Sequence, residues 1–384
     1  MVDQGRSCYS PGLKGVVAAR TQLSSVDGER GILCYRGINI HELAERSCYE
    51  EVVYLLWYGK LPTRRELEGM RRELASQREI PTPVLELLRS LPPGIQPMDV
   101  LRTCVSLLGC WEGLEEGGRG DISQEATLRK AKRLTAQMGS LVATYDRLRR
   151  GLEPVAPDPT LDHAAHILYL FSGERPDPDF ARALDKYLVL LADHGLNAST
   201  FTARVVASTR ADLHSAVSGA LAALKGSLHG GANEETMKML LEIGSAERVD
   251  GYIDAAFAAR KKIMGFGHRI YRTGDPRSVH LNKMARQLGE KVGDLRWYEM
   301  SLLVEAAVLR NRELYPNVDF FSAPAIYYLG IPIDLFTPMF AVSRVAGWCA
   351  HVMEQYQADV LIRPESEYVG AEEVRYIPLE ERDG

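Results

Sequence analysis

Between His194 and Arg363 the chain sets histidines, arginines and one aspartate at glycine- and proline-marked breaks between apolar helical stretches. Loops held by rigid helices are where chemistry is usually placed. In ADHGLNAST, Gly195 follows a long apolar helix, so His194 is expected at that helix's carbonyl-rich end, either capping it or facing a ligand. In SLHGGANEE, paired glycines let the backbone fold tightly after His229, and Asn233 is expected to cap the next helix. His229 then stands at a helix mouth, in a structural or a chemical role. No Lys-Ser/Thr follows the glycines, so a phosphate-binding P-loop is rejected. In GFGHRIYRTGDPR, Gly265 and Gly267 are expected to free backbone N–H groups for a ligand near His268, and Asp275-Pro276 reads as a helix start. Arg277 would project from that first turn, toward a ligand carboxylate or into a salt bridge with a nearby acid. In YPNVDFFSA, Asp319 beside Phe320 and Phe321 is either a partly desolvated base or the N-cap of the following helix. Arg344 in FAVSRVAGW and Arg363 in VLIRPES sit in apolar runs, where each must find a partner or snorkel to the surface.

The set matters more than its members. Three arginines suit a small substrate with two carboxylates, and three histidines with an aspartate suit proton transfer. No His-x-x-x-His or Glu-x-x-His motif unites them, which argues against a metal; His163 and His166, spaced i,i+3, come nearest to a metal pair.

The elements that must position these residues are mostly helices. Apolar residues recur at three- and four-residue spacing from Tyr49 until Gly59 and Pro62, again at Phe180, Leu184, Leu188 and Leu191, and again at Val249, Ile253, Ala256 and Phe257. The pattern predicts well over ten helices and no doubly wound parallel sheet. The first fifty residues, with GVVAART and GILCYRGINI, read as short strands and turns. Loop-like stretches are expected at Gly113–Asp121 and Gly151–Thr160. At 384 residues the chain makes two domains or one large one. Its net charge of −5 offers no field for nucleic acid, and Arg147, Arg149, Arg150 and Arg260, Lys261, Lys262 read as solvated helix faces or ends. Cysteines 8, 34, 48, 104, 110 and 349 show no metal or disulfide spacing, and the opening segment lacks a basic-then-apolar leader. No apolar stretch approaches the ~18 residues of a membrane span. These features lead to the expectation of a cytoplasmic protein.

Taken in order, GLKGVVAART, DGERGILCYRGINIHELAE, GKLPT, LADHGLNASTFTARVVAST, LKGSLHGGANEE, IMGFGHRIYRTGDPR, YPNVDFFSA, FTPMFAVSRVAGWCAH and IRPESEYVG resemble the signature blocks of the citrate synthases, in their shorter bacterial and archaeal form. The resemblance runs from about residue 12 to the end. It implies a nearly all-α, two-domain fold, with a small domain at 231–330 inserted in a large one formed by 1–230 and 331–384. It implies condensation of acetyl-CoA with oxaloacetate and water to citrate and CoA, with the thioester as substrate and no metal or other cofactor. It implies a homodimer with shared active sites; the charge balance and the short apolar runs lead to the expectation of no nucleic-acid or membrane partner. By the same resemblance His229, His268 and Asp319 are the catalytic trio, and His194, Arg277, Arg344 and Arg363 bind oxaloacetate, Arg363 from the second subunit. Gly265, Phe266, Gly267 and Arg272 meet CoA, and Phe340 lines the site. 2-Methylcitrate synthase, which takes propionyl-CoA, shares every block; a citryl-CoA lyase and a non-catalytic paralogue are more distant alternatives. Ser227 stands where proline is common, and Ala323 where glycine is common; the second bears on substrate preference.

Overall fold

Helical periodicity decides most of the architecture of the computed structural model, which describes residues 9–115 and 120–382. Cys8 and residues 116–119 of the expected loop at Gly113–Asp121 lie outside the described residues. The short N-terminal strands are β1 (Ser24–Asp27), β2 (Ile32–Tyr35) and β3 (Ile38–Asn39), an antiparallel sheet in which Ser24 pairs with Tyr35 and Asp27 with Ile32. The helices that follow are α1 (Ile40–Arg46), α2 (Tyr49–Tyr58), α3 (Arg64–Ser76), α4 (Thr82–Ser90), α5 (Pro97–Glu115), α6 (Gln124–Arg149), α7 (His163–Ser172) and α8 (Pro178–Leu191). Then come α9 (Ala198–Ser208), α10 (Leu213–Leu224), α11 (Ala232–Ile243), α12 (Val249–Ala258), α13 (Ser278–Val292), α14 (Arg296–Asn311), α15 (Val318–Tyr328) and α16 (Phe336–Ala358). The fold is therefore nearly all-α, as expected.

GVVAART forms no strand. Val16 and Val17 are exposed, so this run has no apolar surface to pair against, and β-branched residues alone do not make a strand. The other periodic runs behave as read. Gly59 closes α2 in the left-handed region at φ 77°, and Leu184, Leu188 and Leu191 of α8 are fully buried.

The centre of the core is α16, which packs against α2, α6, α8, α9 and α10 and is buried along nearly its whole length. A helix apolar on all sides has no solvent face, so its one arginine, Arg344, is carried into the interior. The helices α11 to α15 pack mainly on one another, α15 lying between α11 and α13. Among the described residues no helix is long and apolar enough to cross a membrane, and the five described cysteines are free thiols.

Candidate active site

Two loops pair to build one wall. The Gly267 N–H donates to the Tyr315 carbonyl at 2.9 Å, the Asn317 N–H to the Gly265 carbonyl at 2.9 Å, and Asn317 Nδ2 to the Gly267 carbonyl at 2.9 Å. Gly267's N–H is thus committed within the chain, contrary to the expectation that it is free for a ligand. Gly265 is needed for close approach: at φ 81°, a Cβ there would lie 2.8–2.9 Å from Phe320. The Phe266 ring packs on Phe320 at a centroid distance of 4.4 Å. Asn317, and not Asp319, caps α15, its Oδ1 accepting from the Asp319 N–H at 2.9 Å. Asp319 is therefore left as a half-buried carboxyl in the first turn, with no side-chain hydrogen bond among the described residues. Burial raises its pKa to about 7, against the pull of Arg277 and Arg344.

The same wall positions His268. Its Nδ1 accepts the backbone N–H groups of Ile270 at 3.0 Å and Tyr271 at 3.2 Å. A backbone N–H can only donate, so the neutral ring carries its proton on Nε2. Burial holds the pKa down to about 4, with the charge of Arg277 adding to the effect. His194 packs edge-on to His268 at 5.3 Å and meets the Tyr271 hydroxyl at 3.0 Å. It does not cap its own helix: α8 ends at Leu191, and Gly195, at φ 57°, shapes the later turn into α9. Burial, then Arg277 and Arg344, drive the pKa of His194 well below its ordinary value.

His229 is held from behind. Ser199 offers its backbone N–H to His229 Nε2 at 3.3 Å, and its hydroxyl, which donates to Asn197 Oδ1 at 2.8 Å, lies 2.9 Å from the same nitrogen. The backbone bond makes Nε2 the acceptor and leaves Nδ1–H as the open donor. Burial lowers the pKa of His229 to about 4 as well, and Arg344 contributes. Gly230 must be glycine, since a Cβ there would lie 2.3 Å from the Leu224 carbonyl oxygen. Gly231, not Asn233, is the N-cap of α11; Asn233 is buried within the first turn.

The buried arginines carry open donors. Arg277 grips Asp275 in a bidentate pair, Nε to Oδ1 at 2.9 Å and Nη2 to Oδ2 at 2.6 Å. Asp275 also accepts the Arg277 N–H, and α13 begins at Ser278, two residues later than the Asp-Pro pair suggested. Burial opposes the charge on Arg277, but Asp275 outweighs it and raises the pKa. Nη1 of Arg277 remains buried and unpartnered. Arg344, 2% exposed, does not snorkel: Nε donates to the Leu191 carbonyl at 2.6 Å, and the guanidinium lies 4.6 Å from the centre of the Phe340 ring. Burial brings its pKa down to about 10, with Asp193 opposing, so it stays charged at neutral pH. Among the described residues its two terminal nitrogens meet no hydrogen-bond acceptor.

The structure thus gathers His194, His229, His268, Asp319, Arg277, Arg344 and Phe340. It does not bring Arg363 to them: that residue is exposed on the extended segment after α16. Arg272 is exposed beside the His268 loop. Tyr187, Ser199 and Tyr271 escaped the sequence reading, although the last two lie within the quoted blocks. The buried Tyr187 hydroxyl lies beside Asn233 and feels the charges of Asp319 and Arg344. His194, His268 and Asp275 could offer three ligand atoms within 4.8 Å of one another, but both Asp275 oxygens are already taken by Arg277. His163 and His166 are both buried on α7, and burial lowers the pKa of each. A cavity of about 520 Å³ beside Arg204 is lined by none of the site residues, so the converging groups mark the site better than cavity size does. Their chemistry is that of a base near neutrality, two neutral imidazole donors and two guanidinium forks.

A family model described as "Citrate synthase, C-terminal domain" matches residues 12–365. "Citrate synthase 2" of Bacillus subtilis is 46% identical over 372 residues, covering 97% of this chain and 98% of that protein. The 2-methylcitrate synthase of Mycobacterium tuberculosis is 42% identical over 377 residues, covering 98% and 94%. Among solved structures, the ternary complex of the citrate synthase from Thermoplasma acidophilum with carboxymethyl coenzyme A and oxaloacetate is similar at a TM-score of 0.91 and 31% identity, covering 97% and 99%.

Proposed function

The chain belongs to the citrate synthase family, and on that premise we propose how its own residues divide the work of the reaction. It is an acyl-transferring enzyme that condenses acetyl-CoA with oxaloacetate and water to give citrate and CoA. The observation that carries the assignment of roles is the half-buried Asp319, with its pKa near 7, in a site where two neutral histidines keep one N–H each to donate. A thioester methyl is a poor acid, so its proton leaves only if a base and a donor to the forming enolate oxygen act together. Asp319 takes the proton. His229 donates from Nδ1 to the oxygen, a role worth about 3–4 kcal/mol in comparable oxyanion sites. The enolate carbon attacks the ketone carbon of oxaloacetate while His268 donates its Nε2 proton to the ketone oxygen. Water then hydrolyses the citryl thioester.

Oxaloacetate is held by His194, Arg277 and Arg344. The buried Nη1 of Arg277 and the open nitrogens of Arg344 supply forks for its two carboxylates, and Phe340 stacks under Arg344. Gly265, Phe266 and Gly267 form the CoA-facing loop, and Arg272 meets its phosphates. No metal or added cofactor takes part, the CoA thioester being a substrate. Residues 231–330 close as a small domain on a large one formed by 1–230 and 331–384; the mutual packing of α11 to α15 supports that division. Closure withholds water until the carbon–carbon bond has formed. The reaction is placed in the cytoplasm.

The active unit is a homodimer. The segment carrying Arg363 leaves Leu361, Tyr368, Val369 and Tyr376 exposed, Val369 at 90%, and a second copy gives those side chains a surface. Arg363 then completes the partner's site. Mixing Arg363→Ala subunits with Asp319→Asn subunits is expected to restore activity, because each heterodimer regains one intact site. No regained activity, with heterodimers confirmed by tagged co-purification, places Arg363 elsewhere.

The similarity to a 2-methylcitrate synthase favours one second reading, propionyl-CoA as the preferred thioester. One methylene is worth ~1–3 kcal/mol of discrimination, and Ala323, buried on α15 where glycine is common, lies four residues beyond Asp319. Steady-state rates with oxaloacetate and either thioester decide it: kcat/KM is expected to favour acetyl-CoA at least about tenfold, and a ratio below one assigns the chain to the propionyl reaction.

A further inference from the structure

The β1–β2 hairpin touches two of the three histidine segments of the site, the His194 turn and the His268 loop. At its open end Ser24 and Tyr35 face each other across the strands. Ser24 Oγ lies 2.5 Å from Asp193 Oδ2 and accepts the Gly195 N–H at 2.9 Å. The Tyr35 hydroxyl reaches the Leu190 and Asp193 carbonyls at 3.0 and 2.8 Å. Both strands therefore grip the turn that presents His194.

The hairpin's tight end meets the other loop. The Arg272 N–H donates to the Gly28 carbonyl at 2.9 Å. A Cβ on Gly28 would lie 2.2 Å from the Ile270 carbonyl oxygen and 2.8 Å from its carbonyl carbon. Gly28 does not occupy the left-handed region, so contact alone demands glycine there. Gly31, at φ 63°, would place a Cβ 2.9 Å from Thr273 Oγ1. Ile270 and Tyr271 are the two residues whose N–H groups hold His268 Nδ1, so the hairpin presses on the backbone that orients that ring.

We propose that the β1–β2 hairpin is a strut that sets the spacing between the His194 turn and the His268 loop, with Gly28 as a positioning residue for His268. The proposal rests on the proton-donor role given to His268 above. In the closing motion the hairpin turn is the stop against which the His268 loop comes to rest. The reacting groups must meet at near-bonding distance, and a displacement of about 1 Å can cost a hundredfold in rate.

The test uses the full chain. Gly28→Ala is expected to lower kcat at least about tenfold while both KM values stay within about threefold. Gly37→Ala is the control: that glycine, at φ 84° in the β2–β3 turn, has nothing within 4 Å of its added Cβ, and kcat should stay within about twofold. Gly31→Ala should also lower kcat, and Thr273→Ala in the same chain should restore part of the loss by removing the Oγ1 that the new methyl meets, the strain of the left-handed backbone remaining. Hydrogen–deuterium exchange at the Ile270 and Tyr271 amides reads the loop without turnover. It should quicken at least about tenfold in Gly28→Ala and stay unchanged in Gly37→Ala. Unchanged exchange in Gly28→Ala, or a kcat loss no larger than that of Gly37→Ala, overturns the strut. If Gly28→Ala does not fold, failure of Thr273→Ala to rescue Gly31→Ala overturns it. A wild-type chain that forms no citrate while exchange responds as expected overturns the reaction and leaves the strut standing.

Discussion

Replacing Asp319 by asparagine is expected to lower kcat by at least about a thousandfold, toward the upper end of what a positioned base contributes. Oxaloacetate affinity, read by calorimetry, should change less than about threefold, because the arginine forks and His194 are untouched. The two measurements together separate loss of the base from loss of the site. Near-normal kcat would remove Asp319 from the chemistry. The pH profile carries the same signature. With its pKa near 7, the base is protonated and idle in acid, so wild-type kcat/KM should rise through that pH and then level. His229 and His268, with pKa values near 4, stay neutral throughout and add no limb in this range. The asparagine variant should lose the limb.

Stability should move the opposite way. A carboxyl with a folded pKa near 7 and an ordinary value of 3.8 keeps a proton in the folded chain that the unfolded chain has released. Between those values the folded state binds more protons, so wild-type stability falls as pH rises through that window. Asparagine has no such cost. The variant's thermal midpoint should exceed that of the wild type at pH 8, and the gain should vanish below about pH 4.

Arg344→Leu is expected to weaken oxaloacetate binding by roughly 100- to 1,000-fold, since truncating one side of a buried, hydrogen-bonded charge pair costs about 2–5 kcal/mol. CoA affinity should change less than about threefold. Equal losses for the two ligands would indicate damage to the core around α16 instead of a lost fork. Arg344→Lys should recover little. An ammonium cannot donate to the Leu191 carbonyl from the Nε position and present a planar fork to a carboxylate at the same time.

Features that depend on neighbours along the chain were legible in the residues alone. Apolar spacing set α2, α8 and α12, Gly59 set a helix end, and the breaks between helices held five of the seven residues that the structure gathers, Phe340 and Arg344 on α16 being the exceptions. Local pattern misjudged cases where a distant segment intervenes. Asn233 looked like a cap, but Gly231 takes that place and the asparagine is drawn into the core. Gly267 looked free, but Tyr315 takes its N–H. The valines of GVVAART looked like a strand and found nothing to pair with.

The chemical state of the site is set by long-range packing. The proton of His229 is placed by Ser199, 30 positions away, and Arg344 is held by Leu191, 153 positions away. The hairpin that meets His194 on one side and the His268 loop on the other belongs to the first fifty residues, where the sequence suggested strands and no task. The reason is physical. Backbone propensity and hydrophobic period act over a few residues, whereas pKa, tautomer and hydrogen-bond partner depend on which atoms packing brings within a few ångströms and how much water it removes.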